Sequence, residues 1–154
     1  VNRRGLYEHL EHLAQFRVAG TQLALLLIDL DRFKRINDEF GHLAGDQVLC
    51  AVAAEVSRVA AACDLPCRIG GDEFALLAQL NEASELEALA ARIVSGIRAL
   101  HFAEPLENLS ASISIGAGMC ADNADWSVWY SQADRALYKA KGQGGNSWSV
   151  GTPE

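Results

Sequence analysis

The chain has 154 residues, of which half are hydrophobic and 21% are charged, with both signs mixed along the sequence. This composition suits one globular domain over 1–154 and excludes a disordered chain. The net charge of −7 argues against a surface that grips nucleic-acid phosphates non-specifically. The longest apolar run, 23–28, is too short to cross a bilayer, and no signal-peptide pattern opens the chain. We therefore expect a cytoplasmic domain, and because the sequence starts abruptly inside an apparent helix, we expect it to be excised from a larger protein.

The first half of the chain mixes helical and strand patterns. Apolar residues at helical spacing predict an amphipathic helix over 3–18. The continuous apolar run 22–29 ends in an acid, which indicates a buried central strand. A short helix over 33–40 follows, then a break over 41–45, and a second helix starts at about Asp46.

The second half opens with two short apolar runs on either side of Gly70-Gly71, a pattern typical of a hairpin. Later segments alternate between helical spacing and period-two spacing, and Gly142 and Gly144 close the last helix. The predicted strands are 66–69, 73–79, 110–118 and 147–150, and the predicted helices are 86–100 and 126–140.

Without the first helix, the order of elements is βαββαβ with an appended helix and strand. This order predicts an α/β (α+β) fold with a ferredoxin-like core, an extra N-terminal helix and a C-terminal αβ unit. We expect the helices to pack on one face of the sheet and the other face to be partly free. Nucleotide cyclases, polymerase palms and RNA-binding modules share this layout, so the fold does not decide the function.

The four cysteines give no sign of a disulfide framework or a zinc site, because they lack a CxxC pair and a nearby histidine. We expect buried, reduced thiols at these positions. The cysteines are Cys50, Cys63, Cys67 and Cys120.

Acidic residues cluster at two predicted strand ends: Asp29 with Asp31, and Asp72 with Glu73. If the hairpin lies beside the first strand, both pairs meet at one edge of the sheet. Converging carboxylates hold Mg²⁺, and two such ions can activate an attacking hydroxyl and stabilise a leaving pyrophosphate. Any one of these acids alone would be an ordinary turn residue. Both pairs together, beside two glycines that admit a ligand to the backbone, predict a metal-dependent nucleotide site.

The glycines and acids at the hairpin carry a resemblance to a known family. Residues 68–74 read RIGGDEF and resemble the RxGGDEF signature of the diguanylate cyclases. Four further blocks follow the family order: 28–49 is similar to DxDxFKxxNDxxGHxxGDxxL, 114–116 to SIG, 133–141 to ADxALYxAK, and 2–4 to the end of DxLTGLxNRR. The resemblance covers nearly the whole chain, which is identified as a member of the GGDEF domain family.

The resemblance implies a diguanylate cyclase, which condenses two GTP into cyclic di-GMP and two pyrophosphates. It implies that Asp29, the main-chain carbonyl of Leu30 and Asp72 hold Mg²⁺ or Mn²⁺, with two ions in each active site. Asp72 also matches the general base proposed for the ribose 3′-hydroxyl, a role we rank below metal binding. Lys34 matches a lysine that neutralises the triphosphate, and Asp31 matches a residue of structural character.

The family's guanine-binding pair matches Asn37 and Asp46. A carboxylate accepts from both N1–H and N2–H₂ of guanine, which adenine cannot offer, so GTP is preferred to ATP. Outside the family pattern, Asp46 would be a helix N-cap and Asn37 an exposed polar residue. The other implied substrate contacts are Gly70, Gly71, His42 and Lys141; of these, His42 could equally be structural and Lys141 an ordinary cation at a helix C-terminus.

Two positions depart from the family pattern. Gly145 stands where AKxxGRN has an arginine, and the loss of that phosphate contact would cost about 1.5–3 kcal/mol of binding. The window 61–64 reads AACD where many members carry an inhibitory RxxD motif, so Ala61 replaces the arginine that binds product.

Catalysis in the family requires a homodimer that brings two GTP sites face to face, and we expect an upstream sensory or regulatory domain to control it. The alternative is a catalytically weak GTP-binding GGDEF regulatory module, which Gly145 favours and the intact signature opposes. An RNA-binding module is the third interpretation, but the chain lacks both basic charge and exposed strand aromatics.

Overall fold

The computed structural model of the chain describes Glu8 and residues 20–60, 64–121 and 125–151. The strands are β1 (Gln22–Leu30), β2 (Leu65–Arg68), β3 (Glu73–Leu80), β4 (Ile113–Met119) and β5 (Ser147–Val150). The helices are α1 (Phe33–Phe40), α2 (His42–Val59), α3 (Glu85–Arg98) and α4 (Trp126–Gly142). Glu8 is helical, and the rest of the helix predicted over 3–18 lies outside the described residues. In the described part of the chain, no helix is long and apolar enough to span a bilayer.

The five strands form one sheet in the order β2-β3-β1-β4-β5. All neighbours are antiparallel except β4 and β5, which are parallel and joined through α4. The central strand is β1, and eight of its nine residues are buried, as its continuous apolar run predicts. The arrangement confirms the ferredoxin-like βαββαβ core with a C-terminal αβ unit.

The expectation that all helices pack on one face of the sheet is wrong. Ala24, Leu26 and Ile28 of β1 face the core formed with α2 and α3, whereas the alternate residues of β1 lie beneath α4. The physical reason lies in β1 itself, because a strand that is apolar at every position must be covered on both faces. Asp125 caps α4 by accepting hydrogen bonds from the backbone of Ser127 and Val128.

The close approach of α4 to the sheet depends on a glycine in β4. A Cβ at Gly116 would collide with the backbone nitrogen of Leu137 and the carbonyl oxygen of Ala133, both in α4. The helix backbone therefore rests directly on the strand backbone at this point. This contact fixes α4, and with it the residues at the end of α4, relative to the edge of the sheet.

The predicted break over 41–45 is shorter than expected, because α2 begins at His42 and not at about Asp46. Only Gly41, with φ +92°, interrupts the two helices. Gly45 lies inside α2, where the Asn37 side chain occupies the space that a Cβ would need. Its role is therefore to let α1 pack closely against α2.

Candidate functional site

The carboxyl end of β1 brings acidic residues from two strands together. Asp29 is directly opposite Glu73 of β3 on one side and Ser114 of β4 on the other. Residues that pair directly across strands share a face of the sheet, so Asp29 and Glu73 lie on the face that α4 covers. Glu73 belongs to one of the predicted acidic clusters without an assigned role, and the register sets it beside Asp29.

The hairpin turn is joined to the end of β1 by a main-chain hydrogen bond. The backbone nitrogen of Leu30 donates to the carbonyl oxygen of Asp72 at 3.1 Å. Asp72 is partly buried and lies beside the last residue of the central strand. The fold thus brings both predicted acidic pairs to one edge of the sheet.

Asp29 is the most enclosed of these acids, with only 4% of its surface exposed. One carboxylate oxygen, Oδ2, forms an ion pair with the ammonium group of Lys141 from the last turn of α4. The other oxygen, Oδ1, is buried and has no hydrogen-bond partner among the described residues. A buried carboxylate oxygen without a donor is a favourable position for a cation.

The donor set at this edge suits a small hard cation that shares its coordination with a substrate. In the described part of the chain, no cluster of three or more His, Cys, Asp or Glu side chains is arranged to hold a metal ion. Asp29, Asp72 and the Leu30 carbonyl would supply oxygen ligands, and Mg²⁺ keeps its other positions for water and phosphate oxygens. The residues present therefore fit an ion that the substrate helps to coordinate.

Arg68 holds the hairpin turn in shape. Its Nε donates to the carbonyl oxygen of Gly70 at 3.0 Å, and Nη2 donates to that of Gly71 at 2.8 Å. This residue is the first letter of the RxGGDEF signature, and the signature alone predicts no role for it. Neither glycine has a positive φ, so the turn does not need glycine for its backbone angles. A Cβ at Gly71 would meet nothing within 4 Å, which leaves the outer side of the turn open to a ligand.

A cleft of 460 Å³ separates α2 from the β2–β3 hairpin. Asp46 and Arg68 line it together with apolar residues of α2 and β3. Asp46 is exposed and lies in the second turn of α2, whose N-cap is Gly41, so its interpretation as an N-cap is wrong. The residues lining the cleft are Asp46, Leu49, Cys50, Ala53, Val56, Ser57, Pro66, Cys67, Arg68, Phe74 and Ala75.

The remaining predicted contacts lie on α1 and at the start of α2. Asn37 is partly buried against Gly45, next to Asp46, and its Oδ1 has no hydrogen-bond partner among the described residues. Lys34 and His42 are both exposed. The structure thus places Asn37 close to the cleft residue Asp46, whereas no contact joins Lys34 or His42 to the acidic edge in the described part of the chain.

The loop after α4 is anchored by Asp31. Its carboxylate accepts hydrogen bonds from the hydroxyls of Ser112 (2.7 Å) and Ser114 (2.6 Å) and from the backbone nitrogen of Asn146 (2.7 Å). Gly145 has φ +77°, and a Cβ there would lie 2.8 Å from Asp31 Oδ2. The backbone angle and the Asp31 carboxylate therefore both favour glycine at this position.

The thiols do not share one environment. Burial raises the pKa of Cys67, and it raises the pKa of Cys120 to about 12. Cys50 is exposed on α2, which corrects the expectation that the cysteines are buried, and Cys63 lies outside the described residues. The described cysteines are free thiols, as expected from their spacing.

Comparisons with known proteins agree with the fold. The family model described as "Diguanylate cyclase, GGDEF domain" matches residues 1–147. The chain is 38% identical over 144 residues to the diguanylate cyclase DgcP of Pseudomonas aeruginosa, covering 93% of this chain and 22% of that protein. It is 34% identical over 154 residues to the cyclic di-GMP phosphodiesterase PdeR of Escherichia coli, covering 99% of this chain and 23% of that protein.

Comparison with solved structures also finds a GGDEF domain. The GGDEF domain of DgcB from Caulobacter crescentus, in complex with c-di-GMP, superposes with a TM-score of 0.86 at 29% identity, covering 97% of this chain and 90% of that chain. The chain spans less than a quarter of the length of DgcP and PdeR. From the matched family model, the relatives and the acidic edge beside the hairpin, we conclude that this chain belongs to the GGDEF domain family of the diguanylate cyclases.

Proposed function

We propose that this domain is a diguanylate cyclase that condenses two GTP into cyclic di-GMP and two pyrophosphates. The observation that carries the proposal is the meeting of Asp29 and Asp72 at one sheet edge, beneath a hairpin turn that is open to a ligand. An acidic edge of this kind suits phosphoryl transfer with hard cations. The relationship to DgcP supports the same activity.

The cleft beside Asp46 is the proposed binding site for the guanine base. The Asp46 carboxylate accepts hydrogen bonds from N1–H and N2–H₂ of guanine, and the Asn37 amide supplies a further polar contact. Adenine lacks that pair of donors, so ATP would leave Asp46 without its partners. Gly70 and Gly71 admit the ribose to the backbone of the turn, and His42 lies at the rim.

The phosphates are assigned to the acidic edge. Asp29, the Leu30 carbonyl and Asp72 would hold Mg²⁺ or Mn²⁺, two ions in each site. When bound, such ions lower the pKa of the ribose 3′-hydroxyl and neutralise charge on the phosphates. Asp72, at the turn, acts first as a metal ligand and, in the lower-ranked role, as the base that takes the hydroxyl proton, while Lys34 and Lys141 neutralise the triphosphate.

One copy of the domain binds one GTP, so the reaction needs a homodimer with two sites face to face. Each 3′-oxygen forms a bond to the α-phosphorus of the other nucleotide, the bond from that phosphorus to the bridging oxygen breaks, and pyrophosphate leaves. DgcP and PdeR are more than four times as long as this chain, which supports an attached sensory or regulatory domain that controls dimerisation. An enzyme supplied with GTP belongs in the cytoplasm.

A second candidate is a catalytically weak GTP-binding regulatory module. Two observations favour it: Gly145 replaces the family arginine, and the relative PdeR is named as a phosphodiesterase. The intact signature, with Asp72 and Glu73 both present, opposes it.

The test is incubation of the domain with GTP and Mg²⁺ at high protein concentration, with chromatographic detection of cyclic di-GMP. Product from GTP but none from ATP supports the cyclase, and the Asp72→Ala variant serves as the inactive control. Tight GTP binding without product would replace the cyclase with the regulatory module.

A further inference from the structure

The ion pair between Lys141 and Asp29 joins the last turn of α4 to the end of the central strand. The two side chains differ in environment, since 6% of the Asp29 side chain is exposed against 47% of the Lys141 side chain. The carboxylate is therefore held in the protein interior, while the lysine reaches it from the surface.

A buried carboxylate is costly unless a positive charge compensates it. Lys141 supplies that charge at Oδ2, and Oδ1 has no hydrogen-bond partner among the described residues. Among the side chains of the described part of the chain, Lys141 is therefore the one that balances the negative charge of Asp29. Loss of the ammonium group would leave a buried negative charge with a strong demand for another cation.

The backbone of Lys141 has little freedom to move. Leu137 and Ala133, one and two turns earlier, press against Gly116, and this contact fixes α4 on the sheet. The four methylene groups of the lysine side chain, by contrast, rotate freely once the ammonium leaves its partner. Release of the ion pair is therefore a movement of one side chain and not of the helix.

We propose that Lys141 is the resident counter-ion of Asp29 and thereby sets the affinity of the site for its divalent cation, an inference that rests on the proposed metal-binding role of Asp29. The ammonium and a divalent cation compete for one carboxylate, because both at once would place positive charges side by side. Metal binding displaces Lys141, and the released ammonium then becomes available to the triphosphate.

The experiment measures Mn²⁺ binding to the 154-residue chain without nucleotide, by electron paramagnetic resonance of the free ion. Lys141→Met should bind Mn²⁺ about three- to tenfold more tightly than the unaltered chain. Lys141→Arg keeps the charge, so its Mn²⁺ affinity should stay close to that of the unaltered chain. Lys139→Met is the matched control, since Lys139 is an exposed lysine of the same helix turn, and it should change nothing. Unchanged or weaker binding by Lys141→Met would overturn the proposal.

Thermal melting gives a second, independent measurement. In EDTA, Lys141→Met should melt below Lys139→Met, and Mn²⁺ should raise its melting temperature by the larger amount. Equal shifts for both variants would count against the proposal. If Lys141→Met does not fold, Lys141→Gln also removes the charge, and the same tightening is expected of it.

The outcome is separable from that of the proposed cyclase activity. A chain that makes no cyclic di-GMP but shows the Mn²⁺ tightening would reject the cyclase and retain the counter-ion role. If the chain makes product and Lys141→Met leaves its Mn²⁺ affinity unchanged, only the counter-ion role is rejected.

Discussion

The carboxylate of Asp31 occupies the space that a Cβ at position 145 would need, with Oδ2 only 2.8 Å from that point. The same carboxylate accepts a hydrogen bond from the backbone of Asn146 and two from serine hydroxyls. Position 145 is therefore adapted to glycine by its backbone angle and by its neighbour. The family arginine cannot be restored here without a change in the loop.

Gly145→Arg is accordingly expected to destabilise the domain and to leave GTP affinity no better. The positive φ alone should cost about 1–2 kcal/mol, and displacement of Asp31 should add to that loss. Gly145→Ala should show most of the same destabilisation, while Gly142→Ala, where a Cβ meets nothing within 4 Å, should be harmless. Denaturant unfolding and GTP titration measure the two effects, and a several-fold gain in GTP affinity for Gly145→Arg would contradict this reading of the loop.

Asp72→Ala should lower cyclic di-GMP formation by about 10²-fold or more with little change in stability, because Asp72 is a partly exposed turn residue. Asp29→Ala should lower both cyclic di-GMP formation and stability, because Asp29 is buried and paired with Lys141. Its place at a strand end indicates a surface acid, but the structure buries it. Product assays and thermal melts on both variants test this contrast. Near-normal turnover by either variant would refute the metal assignment.

Asp46→Ala should weaken GTP binding by about 1.5–3 kcal/mol and leave ATP binding almost unchanged, because only guanine offers the carboxylate two donors. The matched control is Asp38→Ala, which removes an exposed carboxylate from α1. Isothermal titration with both nucleotides gives the result. Equal losses for GTP and ATP would mean that Asp46 does not read the base.

Cyclic di-GMP should not inhibit the domain through the window 61–64. Ala61, which lies outside the described residues, takes the place of the arginine, and Asp64 Oδ1 accepts a hydrogen bond from the backbone of Gln79 at 2.8 Å. Without the arginine, the negative charge of Asp64 repels a product phosphate. Progress curves with added cyclic di-GMP test the expectation, and strong non-competitive inhibition would count against it.

The stability of the domain should fall in acid partly through Glu55. Hydrogen bonds from the Arg58 guanidinium hold the pKa of this buried carboxyl below its ordinary value of 4.5. A lowered folded-state pKa stabilises the protein above pH 4.5, and this contribution is lost as the pH falls through the folded-state value. Glu55→Gln should therefore melt below the unaltered chain at pH 7, and the difference should shrink in acid. Glu87→Gln, at an exposed position of α3, is the matched substitution against which the melting temperatures are compared.

Local sequence patterns were sufficient for much of the fold. The strand predicted over 147–150 and the helix over 33–40 have the bounds of β5 and α1, because period-two and helical spacing report directly on burial. The start of α2 was missed because Gly45 is a packing residue against Asn37, a contact between helices that spacing does not reveal.

The site, too, was predictable from the sequence only in part. The meeting of the acids at one edge followed from the order of the strands and the hairpin, and the strand pairing of the structure agrees with it. Three other features could not be predicted from the sequence: the register between Asp29 and Glu73, the Arg68 contacts and the Lys141 ion pair. They depend on how strands align and on which face α4 covers, and neither is encoded in any local pattern.

The contact of α4 with Gly116 also bears on how the domain can respond to its neighbours. Because helix and strand backbones touch there, α4 and β4 must move as one body, and β4 is hydrogen-bonded along its length to β1. A push on α4 at this contact is therefore passed to β4 and, through the hydrogen bonds of the sheet, to β1 and the acidic edge. In the proposed homodimer, a regulator that acts through this face would change how the two sites face each other and leave the spacing of the groups within each site unchanged.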